Sequence, residues 1–102
     1  MDRKDTDYIS AYLYRDALER GLTQKEIANA VNVSRQTVYH FWTRQQSITL
    51  QYIICYAKYV GIPLPKLLHM IADAIEPKNR GSLDQFLNEE DERIAKKKRP
   101  KK

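Results

Sequence analysis

The chain has 102 residues, 42% hydrophobic and 30% charged, enough for one compact core and too few for a second domain. No run approaches the ~20 apolar residues of a membrane span, and the polar start Met1-Asp2-Arg3-Lys4-Asp5 lacks the apolar stretch of a signal peptide, so a soluble, intracellular protein is expected. The net charge of +5 rests on the carboxyl end: residues 96–102 carry +6, leaving −1 over residues 1–95. Locally the balance differs, because Gln24 to His69 hold Lys25, Arg35, Arg44, Lys58 and Lys66 against Glu26 alone. The acids Asp84, Glu89, Glu90, Asp91 and Glu92 are expected to lie beyond the globular part.

Residues 7–20 read as a first helix, with Asp7 as a cap, Ile9, Leu13 and Ala17 along one face, and Gly21 as the stop. Tyr8, Tyr12 and Leu18 fall off that stripe and suggest a second apolar face. Thr23 then caps a short helix over 23–31, with Glu26 closing a capping box, and Ser34 caps another over 34–43. Two caps eleven residues apart leave room for two helical turns and a tight reversal, for which Asn32 tolerates the left-handed conformation. Ile27 and Val31 on one helix can meet Val38 and Phe41 on the next, with Ala28 allowing close approach.

A fourth helix follows Thr49, with Leu50, Ile53, Ile54 and Ala57 inward and Gly61 at its end. Tyr52, Tyr56 and Tyr59 are placed on its outer side, either covering a neighbouring segment or forming a dimer surface. Pro63 suits the first turn of a fifth helix whose Leu64, Leu67, Leu68 and Ile71 complete the core. Residues 77–81 read as a linker, 82–95 as an amphipathic helix capped by Ser82 and Gln85, and 96–102 as a solvated, disordered basic tail. The stripe Leu83, Phe86, Leu87 and Ile94 is too narrow for an isolated helix, so this segment must dock, pair with another copy or await a partner.

From Gly21 to Leu68 the chain resembles the lambda-repressor and Cro (Cro/C1-type) family of phage and bacterial regulators. The resemblance is carried by Gly21-Leu22-Thr23-Gln24, Ala28, Val33-Ser34, Val38 and Tyr59-Val60-Gly61-Ile62. It implies an all-α, five-helix DNA-binding domain over residues 1–76. Asn32 and Arg44 stand where relatives often have Gly, so the loop from Arg44 to Thr49 is expected to run differently. Ala17 and Trp42 occupy the positions of an ion pair found in many relatives. Apolar packing often replaces such a pair without loss, so Trp42 is expected over Ala17 in the core rather than exposed for DNA.

The resemblance further implies that the amino-terminal half of the third helix enters the major groove. Arg35, Gln36 and His40 would face the bases, with Thr37 and Tyr39 flanking; Gln24, Ser34, Thr43, Arg44, Gln45, Gln46 and Ser47 would hold phosphates. The chemistry agrees, since Arg suits guanine O6 and N7 and Gln suits adenine N6 and N7. Each is otherwise an ordinary surface group. The basic run 96–102 is similar to a nuclear import signal, but in a chain that resembles phage and bacterial regulators it reads as a DNA-tethering arm or a solubilising tail.

Two histidines, His40 and His69, and the single half-buried Cys55 make no metal site. No Gly-rich phosphate loop or nucleophile elbow is present, so neither catalysis nor a cofactor is expected. The leading expectation is a cytoplasmic, homodimeric regulator of phage, plasmid or bacterial DNA, a repressor in the first instance. The alternative is an antitoxin-like or anti-regulator module whose residues 82–102 engage a partner protein.

Overall fold

The computed structural model of the chain describes residues 3–98 and contains six α-helices and, among those residues, no strand. α1 covers Asp5–Glu19, α2 Gln24–Val31, α3 Arg35–Trp42, α4 Leu50–Val60, α5 Leu64–Ile75 and α6 Gly81–Lys98. α2 packs on α3 and α4, α4 on α5, and α1 on α3, α5 and α6. The sixth helix is longer than expected, running through Lys98, and residues 99–102 of the expected tail lie outside the described residues. No helix among the described residues is long and apolar enough to cross a membrane.

Short polar side chains fix the ends of α2 and α3. Thr23 Oγ1 accepts from the Glu26 amide at 3.1 Å while Glu26 Oε1 accepts from the Thr23 amide at 2.8 Å, closing the expected capping box. Ser34 Oγ accepts from the Thr37 amide at 3.1 Å. Between them Asn32 adopts φ 60° and ψ 50°, the left-handed conformation that turns the chain from α2 to α3. α1 begins earlier than expected: Asp7 lies inside it, its carboxylate accepting from the Lys4 amide at 3.0 Å. Pro63 stands at the cap of α5 instead of within its first turn.

The main core joins Leu13 and Ala17 of α1 to Ile27 and Val31 of α2, Val38, Phe41 and Trp42 of α3, Ile53 and Ala57 of α4, and Leu67 and Ile71 of α5. Trp42 is buried with Ala17, as expected, and its closest aromatic partner is Tyr14, stacked at 4.4 Å between ring centroids. Placing all three α4 tyrosines outside was wrong. Tyr52 and Tyr56 are buried in the core, and only Tyr59 is exposed, together with Leu50 and Leu68, both expected inward. At 100° per residue, positions 52, 53, 56 and 57 share one face, and buried tyrosine is tolerated when its hydroxyl has a partner. Both have one: Tyr52 Oη accepts from Trp42 Nε1 at 3.0 Å, and Tyr56 Oη donates to Asp16 Oδ2 at 2.5 Å, which also accepts from Arg20 Nε at 2.7 Å.

Burial disfavours both phenolates. It pushes Tyr52 up to about 12, and burial together with the bond to Asp16 pushes Tyr56 up as well. An acid whose folded pKa exceeds its unfolded value contributes stability that is complete below the unfolded value and lost as pH rises through the folded one. Unfolding is therefore expected to become easier above the ordinary tyrosine value of about 10. Denaturant midpoints followed with phenolate absorbance check this: ionisation of these two rings must accompany loss of helix. Full phenolate absorbance with the helices intact would contradict it.

Residues 77–80 form a turn tied to the bundle, not a free linker. Asn79 Nδ2 donates to the Asp73 carbonyl and Arg80 Nε to the Ile75 carbonyl, each at 2.8 Å, while the Arg80 guanidinium lies 4.2 Å from the centre of the Tyr8 ring. The turn returns α6 onto the second face of α1, where Leu83 and Leu87 bury against Tyr8 and Ala11. The Ser82–Gln85 capping box does not form, because α6 starts at Gly81 and Ser82 Oγ instead accepts from Arg15 at 3.2 Å. Nor do the α6 acids lie beyond the folded body. Asp84 accepts from Tyr8 Oη at 2.6 Å, Glu90 is buried and paired with Arg93, and Asp91 pairs with Arg44.

Candidate nucleic-acid interface

The amino-terminal turn of α3 is held out to solvent, since Ser34 caps the Thr37 amide while Val38, Phe41 and Trp42 anchor the opposite face. Arg35 and Gln36 are consequently exposed at its outer end, and Thr37, Tyr39 and His40 are half-buried. Gln24, the first residue of α2, donates through Nε2 to the Arg35 carbonyl at 2.7 Å. That bond brings the openings of α2 and α3 onto one face, each with amide groups able to meet an anion. Ser34 and Thr37 share a side-chain hydrogen bond of 2.9 Å, so both serve the cap.

After α3 the chain turns through Arg44 with φ 64°, the left-handed conformation that Gly would adopt there. The carbonyl of His40 accepts from the amides of Gln45 and Gln46, and Gln45 Nε2 donates to Thr43 Oγ1 at 2.8 Å. Gln45, Gln46 and Ser47 are exposed on this loop, beside the carboxyl end of α3. Arg44 differs from its neighbours: its guanidinium is drawn towards α6 by Asp91 and donates to the Trp42 carbonyl at 3.4 Å. The expected phosphate set is thus split, with Gln24, Thr43, Gln45, Gln46 and Ser47 around α3 and Arg44 engaged with the sixth helix.

Beside this surface stand Arg93, which was missed in the sequence, and Lys96, which was read only as part of the basic run 96–102. A groove of about 520 Å³ separates the carboxyl half of α6 from α2 and α3, and Arg93 and Lys96 line one wall. Gln24, Tyr39 and Thr43 line the other, with Trp42 and Tyr14 also present. The signal was available in the spacing. Leu83, Leu87, Glu90 and Ile94 follow the four-three-four interval of one helical face, so a docked α6 brings the residues around Ile94 to the bundle as well.

Two short capped helices, set by a left-handed Asn and presenting a polar amino-terminal turn, define a helix-turn-helix protein. Residues 12–67 match the family model described as Helix-turn-helix, and the chain belongs to this Cro/C1-type, lambda-repressor-like family. Membership implies DNA binding, and such families are typically non-enzymatic. No curated protein and no solved structure matches the chain.

Proposed function

We propose that the chain is a sequence-specific transcriptional regulator that acts as a homodimeric repressor, inserting the start of α3 into the major groove. The observation that carries this reading is the exposed Arg35–Gln36 pair on a buttressed helix end, joined to α2 by the Gln24–Arg35 hydrogen bond. Arg35 and Gln36 read base edges, with Thr37, Tyr39 and His40 alongside. Gln24, Ser34, Thr43, Gln45, Gln46 and Ser47 set the register on phosphates, and Arg44 reaches one only by giving up Asp91. Occupation of a promoter then excludes the polymerase, and no catalytic step is needed.

One α3 reaches too few base pairs for high specificity, which favours two-fold pairing. Exposed Tyr59 on α4 and Leu68 on α5 supply apolar surface for a second copy, now that Tyr52 and Tyr56 belong to the core. The alternative, a module whose last segment awaits a foreign protein, loses support from the docked Leu83 and Leu87. Selection of bound sites from a randomised duplex pool at roughly physiological salt tests the proposal. The expected result is an enriched two-fold-symmetric sequence with half-sites about one helical turn, or multiples of it, apart. Recovery of a random population would overturn it.

A further inference from the structure

The groove between α6 and the helix-turn-helix is continuous with the outward stripe of α3. Arg35, Tyr39 and Thr43 succeed one another at intervals of four, so a line along this helix runs from its exposed tip to the groove wall. Gln24, bonded to the Arg35 carbonyl, stands on the same wall. Opposite them are Arg93 and Lys96 of α6. The Arg93 side chain is 62% exposed although it pairs with Glu90, and one guanidinium carries five donors, so it can hold a second anion. Lys96 is exposed and makes no ion pair among the described residues. It also begins the run of six cations over residues 96–102.

We propose that this groove takes the sugar-phosphate backbone of one strand beside the major groove read by α3, so that α6 is a second wall of the DNA interface. The assignment rests on the base-reading role proposed for α3, because a duplex placed on Arg35 and Gln36 must carry one backbone along the flank of that helix. The charges fit a polyanion. Glu90, the one acid in the lining, is buried and paired with Arg93, and its neighbour Asp91 is paired with Arg44, whereas Lys96 is left to the opening. On the facing wall the second N–H of Gln24 Nε2, the first being given to the Arg35 carbonyl, suits a phosphate oxygen, while the Thr43 hydroxyl donates to the Tyr39 carbonyl at 2.7 Å. Tyr39 and Trp42 give the sugars an apolar floor. α6 thereby fixes how far the protein extends along DNA beyond the bases it reads, and it adds affinity without sequence preference.

The test measures duplex affinity against salt for the full chain, its Arg93→Ala/Lys96→Ala variant, Lys96→Ala alone and Lys78→Ala, whose lysine lies on the α5–α6 turn. Each phosphate engaged contributes about −0.9 to the slope of log affinity on log salt, so the double variant should flatten that slope by roughly 2 per protomer. It should weaken the selected site and a random duplex by the same factor, leaving the preferred sequence unchanged. Lys96→Ala keeps the Glu90–Arg93 pair and should flatten the slope by about 1 even if the double variant unfolds. Lys78→Ala should leave it unaltered. An unaltered slope in Lys96→Ala, or tighter binding because α6 had been covering the surface, would overturn the proposal while wild-type site preference stood. Absence of site preference in the wild type would instead remove the base-reading role beneath it.

Discussion

Replacing Arg35 and Gln36 together with alanine is expected to abolish most of the preference for the selected site while sparing binding to random duplex. Both side chains project from the exposed first turn of α3 and make no hydrogen bond through their own side-chain atoms among the described residues, so truncation leaves the fold intact. A good bidentate contact to a base edge is worth about 1 to 3 kcal/mol of discrimination, and the pair therefore about 2 to 6 kcal/mol per half-site. At 1.4 kcal/mol per factor of ten, even the lower figure is roughly 30-fold in relative affinity. The phosphate contacts proposed for Gln24 and the loop after α3 involve neither side chain, which is why the loss should appear in the ratio of affinities more than in non-specific binding.

The second large effect concerns stability. Leu87→Ala is expected to lower the unfolding free energy by about 2 to 5 kcal/mol, the range for deleting a buried leucine side chain. Leu87 is wholly buried and, with Leu83, is the means by which α6 covers Tyr8 and Ala11 of α1. A domain of this size has only about 5 to 15 kcal/mol in all, so the variant should unfold at distinctly lower urea. A single cooperative transition at lower midpoint would mean that α6 belongs to the same folding unit as the helix-turn-helix. A change under about 0.5 kcal/mol, the scale of a surface substitution, would mean that α6 detaches without cost to the bundle.

The parts of this fold that could be read in the sequence are those set by neighbours along the chain. Thr23 with Glu26, Ser34 ahead of Thr37, and Asn32 at the reversal each act over at most four residues, and each takes the expected role. Side chains with distant partners were harder to place. Tyr52 and Tyr56 were placed outside because Leu50, Ile53, Ile54 and Ala57 were taken as the inward face; Trp42 and Asp16, ten and forty residues away, are what make burial of the two hydroxyls acceptable. Arg44 was assigned to phosphate without regard to Asp91, which lies 47 residues on. Glu90 was assumed to be solvated like its neighbours. Its place between Leu87 and Ile94 on one helical face, and Arg93 three residues on, allow it to sit at the interior edge.

The same distinction applies to the interface. The exposed start of α3 follows from its cap and its apolar anchors, all local features. The contribution proposed for α6 depends on how the turn at Asn79 and Arg80 returns the chain, and Arg93 and Lys96 come to share a groove with Tyr39 and Thr43 only as a consequence.

The most direct test of base reading by α3 is a competition at fixed salt between the selected duplex and a random one, run with the wild-type chain and with Arg35→Ala/Gln36→Ala. The wild type should prefer the selected duplex strongly, and the variant should lose at least about 30-fold of that preference while its affinity for the random duplex stays nearly constant. A folded variant that keeps the full preference would contradict the account and place sequence recognition elsewhere on the chain.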